Sequence, residues 1–82
     1  MRVLLFGALR EAVGEGEVTV DAPGPGTTAA TLADALAARG NRWGALADRE
    51  ALRVAIDGAV AGWEATVDGA AEVAFFPPVT GG

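Results

Sequence analysis

One amphipathic helical segment, with strand-like segments on both sides of it, constrains this chain more than any other feature. Leu32 and Leu36 lie four residues apart among small alanines, Thr28 is a favourable N-cap residue, and Gly40 is a stop signal. This pattern predicts a helix whose single apolar stripe faces a sheet. The alanines indicate that the helix approaches the sheet closely.

Five other segments are extended by their alternation of apolar and polar residues or by the turn residues around them. They are 2–6, 17–22, 52–56, the short and irregular 60–67, and 72–76. Asp57-Gly58 has the composition of a tight hairpin turn. Shorter helical segments are expected at 8–13 and at 41–46, the second of them capped by Asn41.

This order of elements predicts an α+β fold of the β-grasp type, in which a mixed sheet carries one main helix on one face. The first and last strands are expected side by side at the centre of the sheet. We expect a single domain over residues 1–76, followed by a flexible C-terminal tail over residues 77–82.

Length and charge narrow the class of protein further. The chain has 82 residues and no cysteine, so it must fold on apolar packing alone or with help from a partner, and its net charge is -5. A negative field repels phosphate backbones and anionic lipids, which argues against nucleic acid and membrane partners. Since no stretch resembles a signal peptide or a spanning helix, we expect a cytoplasmic protein.

The side chains that most enzymes use are absent. The sequence contains no His, Cys, Lys, Ser, Tyr or Gln. General acid–base and nucleophilic catalysis depend mainly on these residues, and soft metal sites need imidazole or thiolate. Asp57, Asp68 and Glu72 lack the spacing of a calcium loop. We therefore expect neither catalysis by this chain alone nor a bound metal.

The C-terminal segment is the most specific part of the sequence, which closes with Phe75-Phe76-Pro77-Pro78-Val79-Thr80-Gly81-Gly82. Pro77 and Pro78 favour a stiff, extended stem, and the two glycines have no side chains. Such a tail would enter a narrow channel in a partner and present its terminal carboxylate to chemistry held there. Gly82 would then supply the reacting group, and residues 77–81 would serve insertion.

The sequence resembles the molybdopterin synthase small-subunit family of ubiquitin-like sulfur carriers. The resemblance lies above all in the C-terminal segment, and also in residues 2–6, Arg10-Glu11 and Arg42-Trp43. The resemblance implies that the Gly82 carboxylate is adenylated with ATP by a ubiquitin-activating-like enzyme and then becomes a thiocarboxylate. It implies three partners: that adenylyltransferase, a sulfur-donor enzyme, and the large subunit in a heterotetramer, where sulfur passes to cyclic pyranopterin monophosphate. No cofactor would bind this chain itself. Two departures from the family pattern are Asp57 in place of Asn, and Ala70-Ala71 before the last strand.

A docking surface is predicted from strand alternation. If the helix covers Val3 and Leu5, then Phe6 and Phe76 lie on the opposite face of the sheet, with Val60 nearby. Exposed apolar patches of this kind mark interfaces, and the resemblance implies that these positions face partner proteins. The alternative is a minor core, in which the two aromatic rings pack under the second helix or under Trp63.

Two rival functions remain open at this point. A related carrier for thiamine thiazole or cysteine synthesis would also end in Gly-Gly, although the paired Phe and paired Pro favour the molybdopterin pathway. An interaction module with an inert tail is the other. A β-grasp ferredoxin is excluded, because its cluster needs cysteine ligands.

Overall fold

The computed structural model describes residues 1–78, which form a five-stranded mixed sheet with helices on one face. In chain order the elements are β1 (Arg2–Leu5), α1 (Gly7–Val13), β2 (Glu17–Thr19), α2 (Ala29–Ala37), two 3₁₀ helices (Asn41–Ala47 and Arg49–Ala51), β3 (Arg53–Ile56), β4 (Ala59–Ala61) and β5 (Glu72–Phe76). Within the described part of the chain, no helix has the length and apolar character needed to cross a bilayer.

The strand order is β2-β1-β5-β3-β4. The central strands β1 and β5 run parallel, and every other neighbouring pair is antiparallel. This arrangement confirms the predicted β-grasp fold and the central position of the first and last strands. The β1–β2 pairing is antiparallel, and α1 joins the two strands.

The core lies between the sheet and α2. Val3 and Leu5 of β1 and Val73 and Phe75 of β5 are fully buried, as the period of two predicts. Facing them from the helical layer are Leu9, Val13, Ala29, Leu32, Ala33, Leu36 and Leu46. Burying one such aliphatic or aromatic side chain contributes about 1.5–3 kcal/mol, so this layer supplies much of the stability.

Helix α2 begins as predicted and ends earlier than predicted. The Thr28 hydroxyl accepts a hydrogen bond from a backbone N–H of the first turn at 3.1 Å, which confirms the N-cap. The helix ends at Ala37 and does not continue to Gly40. The N–H groups of Arg39 and Gly40 donate to carbonyls three residues back, those of Leu36 and Ala37, so the chain tightens before it turns.

The short helices differ from expectation in detail. Residues 7–13 form an α-helix that ends at Gly14, whose φ is +89°. Asn41 is not a cap: it is the first residue of a 3₁₀ helix, it has φ +51°, and no side chain caps this helix. Gly40 at φ +82° and Asn41 together reverse the chain, and this reversal brings Leu46 into the core.

The β3–β4 hairpin turns at Asp57-Gly58, as predicted. Both residues have positive φ, +48° and +84°, which is typical of a type I′ turn. The Asp57 carboxylate oxygen Oδ1 also accepts hydrogen bonds from the N–H groups of Ala71 and Glu72, each at 3.0 Å. The carboxylate therefore ties this hairpin to the segment that leads into β5.

Candidate functional site

The sheet face opposite α2 carries a row of small and aliphatic side chains. Strand register aligns Leu4 of β1 with Ala74 of β5, Ala74 with Ala55 of β3, and Ala55 with Val60 of β4. Val60, on the edge strand, is 75% exposed. The row is apolar across four strands, and no helix of residues 1–78 packs against it.

Phe6 and Phe76 lie beside this row, where β1 and β5 end. The parallel ladder continues to this point, because the Phe6 N–H donates to the Phe75 carbonyl at 3.2 Å. Phe6 is 47% exposed and Phe76 is half-buried. The prediction that both aromatic residues share the uncovered face is confirmed.

The minor-core alternative is wrong. The Trp63 ring stacks on Phe75, with ring centroids 5.9 Å apart and an angle of 12° between the planes. Phe75 belongs to the α2 side of the sheet, so Trp63 covers that side and leaves Phe76 uncovered. Since strand neighbours point to opposite faces, one Phe of the pair serves the core and the other lies on the open face.

The open face contains a shallow groove of about 580 Å³. We call it the open-face groove, and its lining includes Leu4, Phe6, Gly7, Ala55, Ala74, Phe76, Pro77 and Pro78. A partner that places apolar side chains there would remove both Phe rings from water. The stabilisation is about 25 cal/mol for each Å² of apolar surface buried.

Charged groups stand at both ends of the groove. At one end, Arg2 of β1 forms an ion pair with Glu72 of β5 on the same face. At the other end, Arg53 is in register with Phe76, and its guanidinium donates to the Leu52 carbonyl at 2.8 Å. An apolar centre bounded by charges is the usual organisation of a protein interface.

The carboxylates of Asp57 and Asp68 have structural roles. Asp57 binds backbone N–H groups, and both carboxylate oxygens of Asp68 accept from the Gly26 N–H, at 2.9 and 3.1 Å. These hydrogen bonds hold loops together across the fold. Among residues 1–78, no group of three acidic side chains gathers as a metal site would require.

The open-face groove extends beyond the docking residues predicted from the sequence. Of the three predicted docking residues, Phe6 and Phe76 line the groove. Val60 lies outside its lining, paired with Ala55 on the edge strand. Leu4, Ala55 and Ala74 also line the groove and were not predicted as docking residues. Alternation along β1 and β5 puts Leu4 and Ala74 on the same face as Phe6 and Phe76. Ala55 required the β3–β5 register, which no local pattern contains.

The predicted functional residues of the C-terminal segment lie at the limit of the described chain. Pro77 and Pro78 are described and line the open-face groove where β5 ends. The proposed carrier residue Gly82 and the insertion residues Val79, Thr80 and Gly81 lie outside the described residues. Their roles, and the division of the chain after residue 76, stay predictions.

Comparisons with known proteins cover nearly the whole chain. The ThiS family model matches residues 3–82. Two curated relatives, from Haemophilus influenzae and Escherichia coli, are 34% and 35% identical over 82 residues, which is 100% of this chain and 99% of each relative. Both relatives are named molybdopterin synthase sulfur carrier subunit.

Solved structures agree with this relationship. The crystal structure of SAMP1 from Haloferax volcanii has a TM-score of 0.73 and 34% identity, covering 100% of this chain and 98% of that one. A second structure, of H. volcanii small archaeal modifier protein 1, has a TM-score of 0.72 and 31% identity, covering 96% and 97%. On the fold, the family match and the full-length similarity, the chain belongs to the ThiS family, whose ubiquitin-like β-grasp architecture it shares.

Proposed function

We propose that this chain is the sulfur-carrying small subunit of a molybdopterin synthase. One observation carries the proposal: the chain matches two proteins named as molybdopterin synthase sulfur carrier subunits over its entire length, at 34% and 35% identity. The open-face groove supports it, because a carrier needs a docking surface for larger partners. The closing residues Gly81-Gly82 support it as well.

The proposed chemistry uses the Gly82 carboxylate and no side chain of this protein. A carboxylate oxygen attacks the α-phosphorus of ATP in the adenylyltransferase, and pyrophosphate leaves. A sulfide-level sulfur nucleophile from the donor enzyme then attacks the acyl carbon, AMP leaves, and a thiocarboxylate remains. The thiocarboxylate is a stable and deliverable sulfur nucleophile.

In the large subunit, the thiocarboxylate sulfur attacks a carbon of cyclic pyranopterin monophosphate. A carbon–sulfur bond forms there while a carbon–oxygen bond of the substrate breaks, and the displaced oxygen group leaves. Water then cleaves the acyl–sulfur bond, which regenerates the Gly82 carboxylate for another cycle. Catalytic side chains come from the partners, and we propose that this chain is not an enzyme by itself. The proposed assembly has two small and two large subunits and works in the cytoplasm.

Docking through the open-face groove would precede this chemistry. Phe6, Phe76 and Val60 are the proposed apolar contacts, and Arg53 is a cation available to a partner carboxylate at the rim. Because the groove lies where β5 ends, docking would hold the body close to the point at which the C-terminal segment begins. The tail can then reach the partner's reaction centre with little further loss of entropy.

A second candidate function is attachment to other proteins. It is favoured by one observation, the 31% identity to a structure named small archaeal modifier protein 1. In that case the Gly82 adenylate would acylate an amino group of a target protein. Carriers for thiamine thiazole or cysteine synthesis would use the same thiocarboxylate on other acceptors.

Intact-mass spectrometry tests the proposal. The chain is incubated with its cognate adenylyltransferase, ATP and a sulfur donor, and its mass is expected to rise by the difference between one sulfur and one oxygen atom. Fragmentation should assign the change to Gly82. A chain that keeps its mass, while the same enzyme thiocarboxylates a known carrier, would contradict the sulfur-carrier function. Stable adducts with target proteins would favour the modifier function.

A further inference from the structure

Gly7 lies close to Pro77, the residue that follows the last strand. It is the first residue of α1, immediately after Phe6, and has φ +58°. A methyl group on Gly7 would lie 3.2 Å from Cγ and 3.4 Å from Cδ of Pro77. The first distance is shorter than ordinary van der Waals contact, so Pro77 occupies space that any side chain at position 7 would need.

Pro77 sits between two hollows of the surface. On one side it lines the open-face groove, and on the other it lines a smaller apolar hollow of about 240 Å³ beside α1 and the 3₁₀ helices. Leu9 and Leu52 line this second hollow. Gly7 therefore forms part of the surface against which the Pro77 ring packs, between the groove and the smaller hollow.

The ring of a proline includes its own backbone nitrogen and Cα. Puckering of the ring can shift Cγ, but Cδ is bonded to the backbone nitrogen, so a displacement of the ring beyond its pucker also displaces the backbone. The direction of the chain at Pro77 and Pro78 then depends on how closely the ring approaches Gly7. Position 7 controls this approach.

We propose that Gly7 is a positioning residue for the C-terminal segment. Because Gly7 has no side chain, the Pro77 ring can pack closely against it, and this packing sets the direction in which the chain leaves β5. This inference rests on the proposed function, because it gives that direction a purpose, delivery of the Gly82 carboxylate to a partner. Gly7 touches no substrate. It acts through Pro77.

A glycine elsewhere in the chain provides a matched control. Gly69 has a similar positive φ, +69°, but a methyl group there would meet nothing within 4 Å. Substitution at either position imposes backbone strain, because a residue with a Cβ rarely adopts a positive φ. Only the substitution at position 7 also displaces Pro77.

The experiment compares Gly7→Ala, Gly7→Val, Gly69→Ala and Gly69→Val in the full chain. Adenylation by the cognate adenylyltransferase is followed by pyrophosphate release at varied carrier concentrations. For Gly7→Val we expect kcat to fall about tenfold to a hundredfold with KM little changed, since displacing a reacting group by about 1 Å costs about a hundredfold. Gly7→Ala should lie between Gly7→Val and the parent, and the Gly69 variants should keep the parent's kcat.

A structural measurement accompanies the kinetics. Nuclear Overhauser contacts between residue 7 and the Pro77 ring should weaken in Gly7→Val and persist in Gly69→Val. Circular dichroism should show folded protein throughout. If Gly7→Val fails to fold, the test rests on Gly7→Ala against Gly69→Ala, where a lowered kcat at position 7 alone supports the inference.

Three results would overturn the inference. The first is equal kcat for the position 7 variants and their Gly69 controls. The second is a rise in KM with unchanged kcat, which would make Gly7 a docking residue. The third is an unshifted Pro77 ring in Gly7→Val. If instead the parent chain releases no pyrophosphate with an active enzyme, the proposed function itself has failed, and the inference about delivery fails with it.

Discussion

Phe75 and Phe76 are consecutive residues of β5 that face opposite sides of the sheet. Phe75 is fully buried against Trp63, and Phe76 lines the open-face groove. The strand's period of two thus separates a residue needed for folding from one available for docking. This separation can be measured, because the two side chains are chemically identical.

Substitution of the two phenylalanines should have opposite consequences. Phe75→Ala is expected to lower the free energy of unfolding by about 3–5 kcal/mol, because it leaves a cavity in the core. Phe76→Asp should change it by about 1 kcal/mol or less, and should weaken binding to the large subunit about tenfold or more. Urea unfolding and calorimetric titration measure these effects. An unfolded Phe76→Asp variant would show that Phe76 belongs to the core.

The Asp57 carboxylate should be replaceable by an amide but not by a methyl group. Asp57→Ala removes the acceptor for the Ala71 and Glu72 N–H groups. It also places alanine at φ +48°, a conformation that alanine tolerates poorly. We therefore expect the free energy of unfolding to fall by about 1–3 kcal/mol. Asp57→Asn keeps the oxygen and tolerates this φ, and its stability should lie within about 1 kcal/mol of the parent. Thermal unfolding of both variants decides the matter. Equal losses would mean that the acceptor oxygen contributes nothing.

Removal of the Thr28 cap should destabilise α2. The Thr28 hydroxyl accepts the Thr31 N–H at 3.1 Å, and Thr28→Ala is expected to cost about 1 kcal/mol. Thr28→Ser retains the hydroxyl and should recover most of this loss. Amide hydrogen exchange in the first turn of α2 provides the local measurement, and similar protection in the Ala and Ser variants would argue against the cap.

A side chain at Gly81 should separate folding from sulfur transfer. Gly81→Val adds bulk and restricts the backbone, so a narrow partner channel should exclude it. We expect the melting temperature and the affinity of the body for the large subunit to be nearly unchanged. Sulfur transfer should fall by about a hundredfold or more. Transfer at the parent's rate would refute the channel argument.

Local sequence determined the helices and strands of this protein and which side chains lie on each face of the sheet. The Thr28 cap, the Asp57-Gly58 turn and the bounds of β5 follow from residues within a few positions of one another, because capping, turn conformation and side-chain alternation are short-range effects. Alternation alone also placed Phe6 and Phe76 on the face opposite α2. Full-length comparison then supplied the family that the closing residues had indicated.

The tertiary structure decided what depends on contacts between distant segments. Three such contacts join residues far apart in the chain. Strand register brings Ala55 beside Ala74, Asp57 accepts a hydrogen bond from the Ala71 N–H, and the Pro77 ring lies against Gly7. No pattern within a short window encodes such contacts, because they arise only when the packing of the whole sheet fixes the relative positions of its strands.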